Sequence, residues 1–185
     1  MKLVVLGRDG VINLINEDEP VRRDSWKPVP GSIAAITRLN QAGYRVVVAT
    51  NQQALSLGQL GVEELHDVHE MMLREVQESG GSIEGIFFAA KGNPDGHGKR
   101  QPKVNLLRQI EQRYHVPSTA ITVVGDSRED LEAAKAVGAR ALLVQTGDGA
   151  HALSDLNHFD GVTIFRDLAA AAEQLCREAA NTPHG

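Results

Sequence analysis

Five short aliphatic runs, at residues 3–6, 45–49, 86–89, 121–124 and 141–144, alternate along the chain with longer segments of helical period. Apolar runs this short, bounded by turn residues, read as strands buried on both faces, and parallel strands need crossover helices to join them. The alternation predicts a doubly wound α/β sheet with helices on both faces. The first helix is expected to be capped by Ser32, to carry Ile33, Ile36 and Leu39 inward, and to close at Gly43. Further helices are expected at 62–79, ahead of Gly80-Gly81, at 104–114, at 128–137 with Gly138 beyond, and at 168–179. Residues 1–180 are expected to form one domain and 181–185 to fray, since 185 residues with 42% hydrophobic content suffice for one full core.

Composition narrows the function classes. A net charge of -5 offers no broad basic surface, and Lys99-Arg100 with Lys103 is too short a patch to track a phosphate backbone, so no nucleic-acid partner is expected. No stretch reaches the roughly 18 apolar residues of a membrane span. The start of the chain shows no signal-peptide core, and the lone Cys176 has no internal disulfide partner, so a cytoplasmic protein is expected, with a monomer as the separate expectation for its assembly.

In a doubly wound sheet the ligand crevice lies beyond the carboxyl ends of the strands. The residues there are Gly7 to Asp9, Thr50 to Gln52, Ala90 to Pro102, and Gly125-Asp126 with Asp130. The ordered set Leu6-x-Arg8-Asp9-Gly10-Val11-Ile12-Asn13, Thr50-Asn51-Gln52, Arg100-x-Pro102 and Val124-Gly125-Asp126-Ser127 resembles the four motifs of the haloacid dehalogenase superfamily. Pro28-x-Pro30-Gly31 and Val144-x-Thr146-Gly147 add a narrower resemblance to its bacterial heptose bisphosphate and histidinol phosphatase branch. The resemblance implies a Rossmann-like fold without a large cap domain. It also implies phosphate ester hydrolysis assisted by magnesium. In that family an aspartate at the position of Gly7 attacks phosphorus, Asp9 matches the general acid and base, and Asp126, with Asp9 and Asp130, matches the magnesium site. Thr50 and Asn51 match the phosphate contacts, with Gln53, Leu55, Leu57 and Arg100 on the substrate side. For Asp126 and Asp130 a plain helix-capping role is the alternative.

Several matched positions depart from the pattern. Gly7 has no carboxylate with which to attack phosphorus or bind a hard cation. Gln101 stands where the family has a lysine, so a positive charge is expected to be missing beside the missing negative one, a paired loss that avoids an uncompensated buried charge. The zinc ligands of the branch fall on Ala89, Lys91, His97 and Lys99, of which His97 alone can ligate, so no structural zinc is expected. The substrate-facing arginine becomes Leu57, which suits an apolar ligand or an exposed, repacked loop. The expected outcome is a sugar-phosphate phosphatase scaffold with weakened magnesium binding and without aspartyl-phosphate chemistry. Asp9 remains as a residual acid and base.

Two other readings stay open on the residues. One is a replacement enzyme in a cavity opened by Gly7 and lined by Leu55, Leu57 and Ala89, with Lys91 as a Schiff-base amine or Ser56 with His97 as a dyad. Such a chain is either a natural relative with a changed role or a scaffold rebuilt around its emptied pocket. The other is a non-enzymatic binding module using the acidic helix at 62–79. His66 and His69 lie three apart there, and a solvated acidic face is the expectation.

Overall fold

The computed structural model describes residues 2–90, 102–154 and 161–181. In chain order the elements are β1 (Lys2–Leu6), α1 (Ser32–Gln41), β2 (Tyr44–Asn51), α2 (Gln53–Ser56), α3 (Val62–Glu78), β3 (Gly85–Ala89) and α4 (Pro102–Tyr114). They continue with β4 (Ile121–Gly125), α5 (Arg128–Val137), β5 (Arg140–Val144), α6 (Gly149–Ser154), β6 (Thr163–Phe165) and α7 (Leu168–Ala180). Among the described residues the strands form one six-stranded sheet in the order β3-β2-β1-β4-β5-β6, with every pairing parallel.

The five aliphatic runs all become strands, because burial on both faces asks for the near-continuous apolar sequence they carry. Alternation along them divides the core. Val4, Leu6, Val46, Val48, Val124 and Leu142 belong to the cluster that includes Ile36 and Leu39 of α1, Val68 and Met72 of α3, and Leu168 and Leu175 of α7. Leu3, Val5, Val47, Ala49, Ile121 and Val123 pack with Leu106 and Ile110 of α4 and Ala134 and Val137 of α5. Each fully buried Leu or Val contributes about 1.5–3 kcal/mol relative to exposure, so a charge introduced on any of these strands opposes the whole sheet.

Two local expectations are corrected. Strand β6 was not expected, since Thr163 and Ile164 are exposed and three residues at a sheet edge leave no apolar run to read. Ser32 is the first residue of α1 and not its cap: Gly31, at φ 82°, precedes the helix, and Ser32 Oγ donates to the Ile12 carbonyl at 2.7 Å. That bond ties α1 to the loop leaving β1.

From β1 the sheet order runs one way through β2 and β3 and the other way through β4, β5 and β6, so the topological switch lies between β1 and β4. The loops after these two strands therefore diverge and leave a crevice at their carboxyl ends. Among the described residues no helix is long and apolar enough to cross a membrane.

Candidate active site

Gly7 continues the β1 ladder by donating its N–H to the Val124 carbonyl of β4 at 2.9 Å, so residue 7 sits at the mouth of the switch. The chain then turns tightly. The amides of Val11, Ile12 and Asn13 all approach the Arg8 carbonyl, the Ile12 bond being 2.8 Å, and Gly10 takes a left-handed φ of 79°. This turn puts Arg8 inward and leaves the Asp9 side chain about one-third exposed in the crevice, where Arg8 is fully covered.

Asp9 is held from several sides. Its Oδ1 accepts from Arg8 Nε at 3.0 Å, Arg8 Nη2 at 2.8 Å and Asn13 Nδ2 at 2.9 Å, and its Oδ2 accepts from Gln52 Nε2 at 2.9 Å. Burial alone would raise its pKa, but the Arg8 charge and the donors on Asn13, Arg8 and Gln52 outweigh it and hold the carboxyl below the usual value. Asp9 therefore stands as a carboxylate at neutral pH and can act first as a base. Gln52 also donates to Thr50 Oγ1 at 2.8 Å, so one amide aligns the β2 hydroxyl with the β1 carboxylate. Thr50 is buried, and Asn51 Oδ1 is buried without a hydrogen-bond partner.

The loops after β4 and β5 build the opposite wall. Asp126 Oδ2 accepts from the Asp148 amide at 3.0 Å, and Thr146 Oγ1 donates to the Gly10 carbonyl at 2.6 Å. A Cβ on either Gly10 or Gly147 would collide with the Asp126 carboxylate, so backbone from two loops closes directly on that side chain. Burial, then the charge of Asp130, pushes Asp126 up to about 7, with the Asp148 amide and Lys103 opposing. Asp130 does cap a helix: Ser127 and Asp130 form a reciprocal capping box at the start of α5. Asp130 Oδ2 accepts from the Asp126 and Ser127 amides and from Ser127 Oγ, while Oδ1 accepts from Lys103 Nζ.

The motif pattern places the family's cation at position 101 and leaves Lys103 to a short basic patch. The available signal was Pro102: proline suits the first position of a helix, and Lys103 follows it at the start of α4, two residues beyond Gln101. Its side chain is only 15% exposed and pairs with the 4% exposed Asp130. Burial alone would lower its pKa, but the charges of Asp130, Asp126 and Glu129 and the hydrogen bond to Asp130 raise it, so Lys103 is protonated. Lys103 thus places a positive charge on this wall of the crevice, while Gln101, on which the expected loss of charge rests, lies outside the described residues.

The expected cavity is corrected as well. A small cavity does lie beside Gly7, but among the described residues its walls are Val5, Ala49, Lys103, Leu107, Val123, Asp130 and Ala133. Leu57 is 59% exposed beyond the end of α2, Leu55 is half-buried and Gln53 is exposed. Leu55, Leu57 and Ala89 are not among the described lining residues. Ser56 Oγ donates to the Gln53 carbonyl at 2.9 Å. Lys91, His97, Lys99, Arg100 and Gln101 lie outside the described residues.

The two α3 histidines part company. His66 is exposed and pairs with Glu70 at 3.3 Å, whereas His69 is buried with Nε2 3.1 Å from Arg8 Nη1. The solvated acidic face therefore does not include His69. Among the described residues no group of three or more His, Cys, Asp or Glu is placed to hold a metal ion. Asp130 is occupied by Lys103 and its own helix end, and Gly7 contributes no oxygen from a side chain. Asp126 with Asp9 nearby is thus an incomplete donor set for a hard divalent cation, which takes six or more oxygens.

A parallel sheet of this order with carboxylates from the loops after β1 and β4 at its switch point defines the class. The profile of the haloacid dehalogenase-like hydrolases matches residues 3–138, and the chain belongs to that family. Within it, the chain is 41% identical over 179 residues to the D-glycero-beta-D-manno-heptose-1,7-bisphosphate 7-phosphatase of Bordetella bronchiseptica, covering 97% of this chain and 100% of that one. The protein of the same name in Pseudomonas aeruginosa is 44% identical over 173 residues, 94% of this chain and 97% of the relative. The crystal structure of the B. bronchiseptica D,D-heptose 1,7-bisphosphate phosphatase, complexed with magnesium and phosphate, superposes with a TM-score of 0.90 at 40% identity, covering 96% and 99% of the two chains. The scaffold is that of a heptose bisphosphate phosphatase-like hydrolase.

Proposed function

We propose that this chain descends from heptose bisphosphate 7-phosphatases and binds phosphosugars but does not hydrolyse them through an aspartyl-phosphate. One observation carries the reading: residue 7, which extends the β1 ladder just before Asp9 and shares a cavity wall with Asp130, is glycine. Aspartyl-phosphate formation requires a carboxylate nucleophile at that point, and neither the Gly7 backbone nor the carboxylate of Asp9, already engaged by Arg8, Asn13 and Gln52, replaces it. Asp9 keeps the geometry of a base that has no partner step.

Magnesium binding is weakened in the same reading, because residue 7 removes a carboxylate from the donor set and Asp130 does not supply a substitute. The ligand class is a phosphosugar, bound by a monomer in the cytoplasm. The test is release of inorganic phosphate from D-glycero-beta-D-manno-heptose 1,7-bisphosphate with magnesium. The unaltered chain is expected to stay at background, and Gly7→Asp to restore turnover. Steady turnover by the unaltered chain would overturn the reading.

A further inference from the structure

We infer that Lys103, delivered from the first turn of α4, is the cation that faces position 7 in this chain, in place of any residue at position 101. The inference rests on the reading that residue 7 is where a nucleophilic carboxylate belongs, and it is carried by a shared cavity.

That cavity encloses about 10 Å³, room for roughly one water, and Gly7, Lys103 and Asp130 stand on its wall together. The Gly7 backbone has no left-handed φ, and a Cβ built there meets Val11 Cγ2 at 3.1 Å and the Val124 carbonyl oxygen at 3.7 Å. A side chain at residue 7 therefore has backbone freedom and asks only a small shift of Val11. The other covered cation among the described residues, Arg8, is committed: Nε and Nη2 serve Asp9, and Nη1 meets His69. Lys103 carries three N–H donors and gives one to Asp130. The Lys103 and Asp130 charges balance each other, which explains why glycine at position 7 leaves no stranded charge. A carboxylate entering at residue 7 would join this pair and be stabilised by Lys103 against the repulsion of Asp130 and Asp126.

The experiment compares Gly7→Asp with its uncharged isostere Gly7→Asn, each with Lys103 kept and each in a Lys103→Met background. Lys103→Met combined with Asp130→Asn serves as a second background, because Lys103→Met alone leaves Asp130 buried and unpaired. At pH 8, with the carboxylate ionised, Gly7→Asp is expected to melt within about 3 °C of Gly7→Asn while Lys103 is present, and at least about 5 °C below it once Lys103 is replaced. In the phosphate-release assay Gly7→Asp is expected to turn over with Gln101 unchanged. Adding Lys103→Met should then lower kcat by about 100-fold with a smaller change in KM, while adding Gln101→Lys should change kcat less than about 3-fold. A melting gap that ignores Lys103, or turnover that appears only after Gln101→Lys, overturns the assignment. If the melting gap depends on Lys103 and no residue 7 variant turns over, the cation assignment stands and the phosphatase ancestry of the site fails as its explanation.

Discussion

Arg8 Nη1 lies 3.1 Å from His69 Nε2, so the guanidinium that holds Asp9 is itself braced by a buried histidine from α3. The arginine can only donate, which makes Nε2 the acceptor and requires the imidazole to be neutral, with its proton on Nδ1. Burial, then the Arg8 charge, lowers the His69 pKa to about 4, with Asp9 opposing.

The pH dependence of stability follows from that neutral ring. An unfolded histidine takes up a proton as pH falls through about 6.5, whereas the folded one resists until about pH 4. The His69 contribution is therefore complete above about pH 6.5 and is lost between there and pH 4, by about 3 kcal/mol in total. Urea unfolding at pH 7, 6 and 5 is expected to show this decline, and His69→Gln, which keeps an acceptor but does not titrate, to flatten it. An unchanged slope in the variant would remove His69 from the account.

Gly10→Ala and Gly147→Ala are each expected to destabilise by about 2–4 kcal/mol, through a left-handed φ and displacement of the Asp126 carboxylate. Circular-dichroism melting would check this. Gly43→Ala is the control, since its φ is 85° but nothing lies within 4 Å of a Cβ there.

Gly7→Ala should be nearly neutral, within about 1 kcal/mol, because lower unfolded-state entropy and a partly filled cavity offset the 3.1 Å approach to Val11. A loss above about 2 kcal/mol in chemical denaturation would mean that the buried Val11 cannot yield.

On the far side of the sheet, Arg140 donates to both oxygens of Glu178, at 2.6 and 3.0 Å, fastening β5 to α7. The hydrogen bonds from Arg140 lower the Glu178 pKa to about 2. Its stabilisation is present above the ordinary pKa of about 4.3 and is lost as pH falls through 2. Both side chains are more than one-third exposed, so screening limits the effect, and Glu178→Gln is expected to cost at most about 1 kcal/mol at pH 7. Melting at 0.1 and 1 M salt should narrow the difference.

Local sequence sufficed for much of this protein. The apolar runs specify strands because a strand buried on both faces needs contiguous aliphatic residues, and the turn residues after them mark where Gly7, Asp9, Thr50 and Asp126 emerge. Those are properties of a few neighbouring residues, visible wherever the chain goes. The short strand β6 lacks such a run and leaves no signal in its sequence. What tertiary structure alone decided are the pairings between distant segments. Lys103 meets Asp130 across 27 positions, and Arg8 meets His69 across 61. The period of a helix places His66 and His69 near one another, but only the packing of α3 against the β1 loop buries one and exposes the other. Likewise the sequence gives no sign of the acid that Lys103 pairs with, and only the start of α4 brings its ammonium beside Asp130 and the cavity at Gly7. A buried charge must find its partner in space, and sequence spacing does not carry that distance.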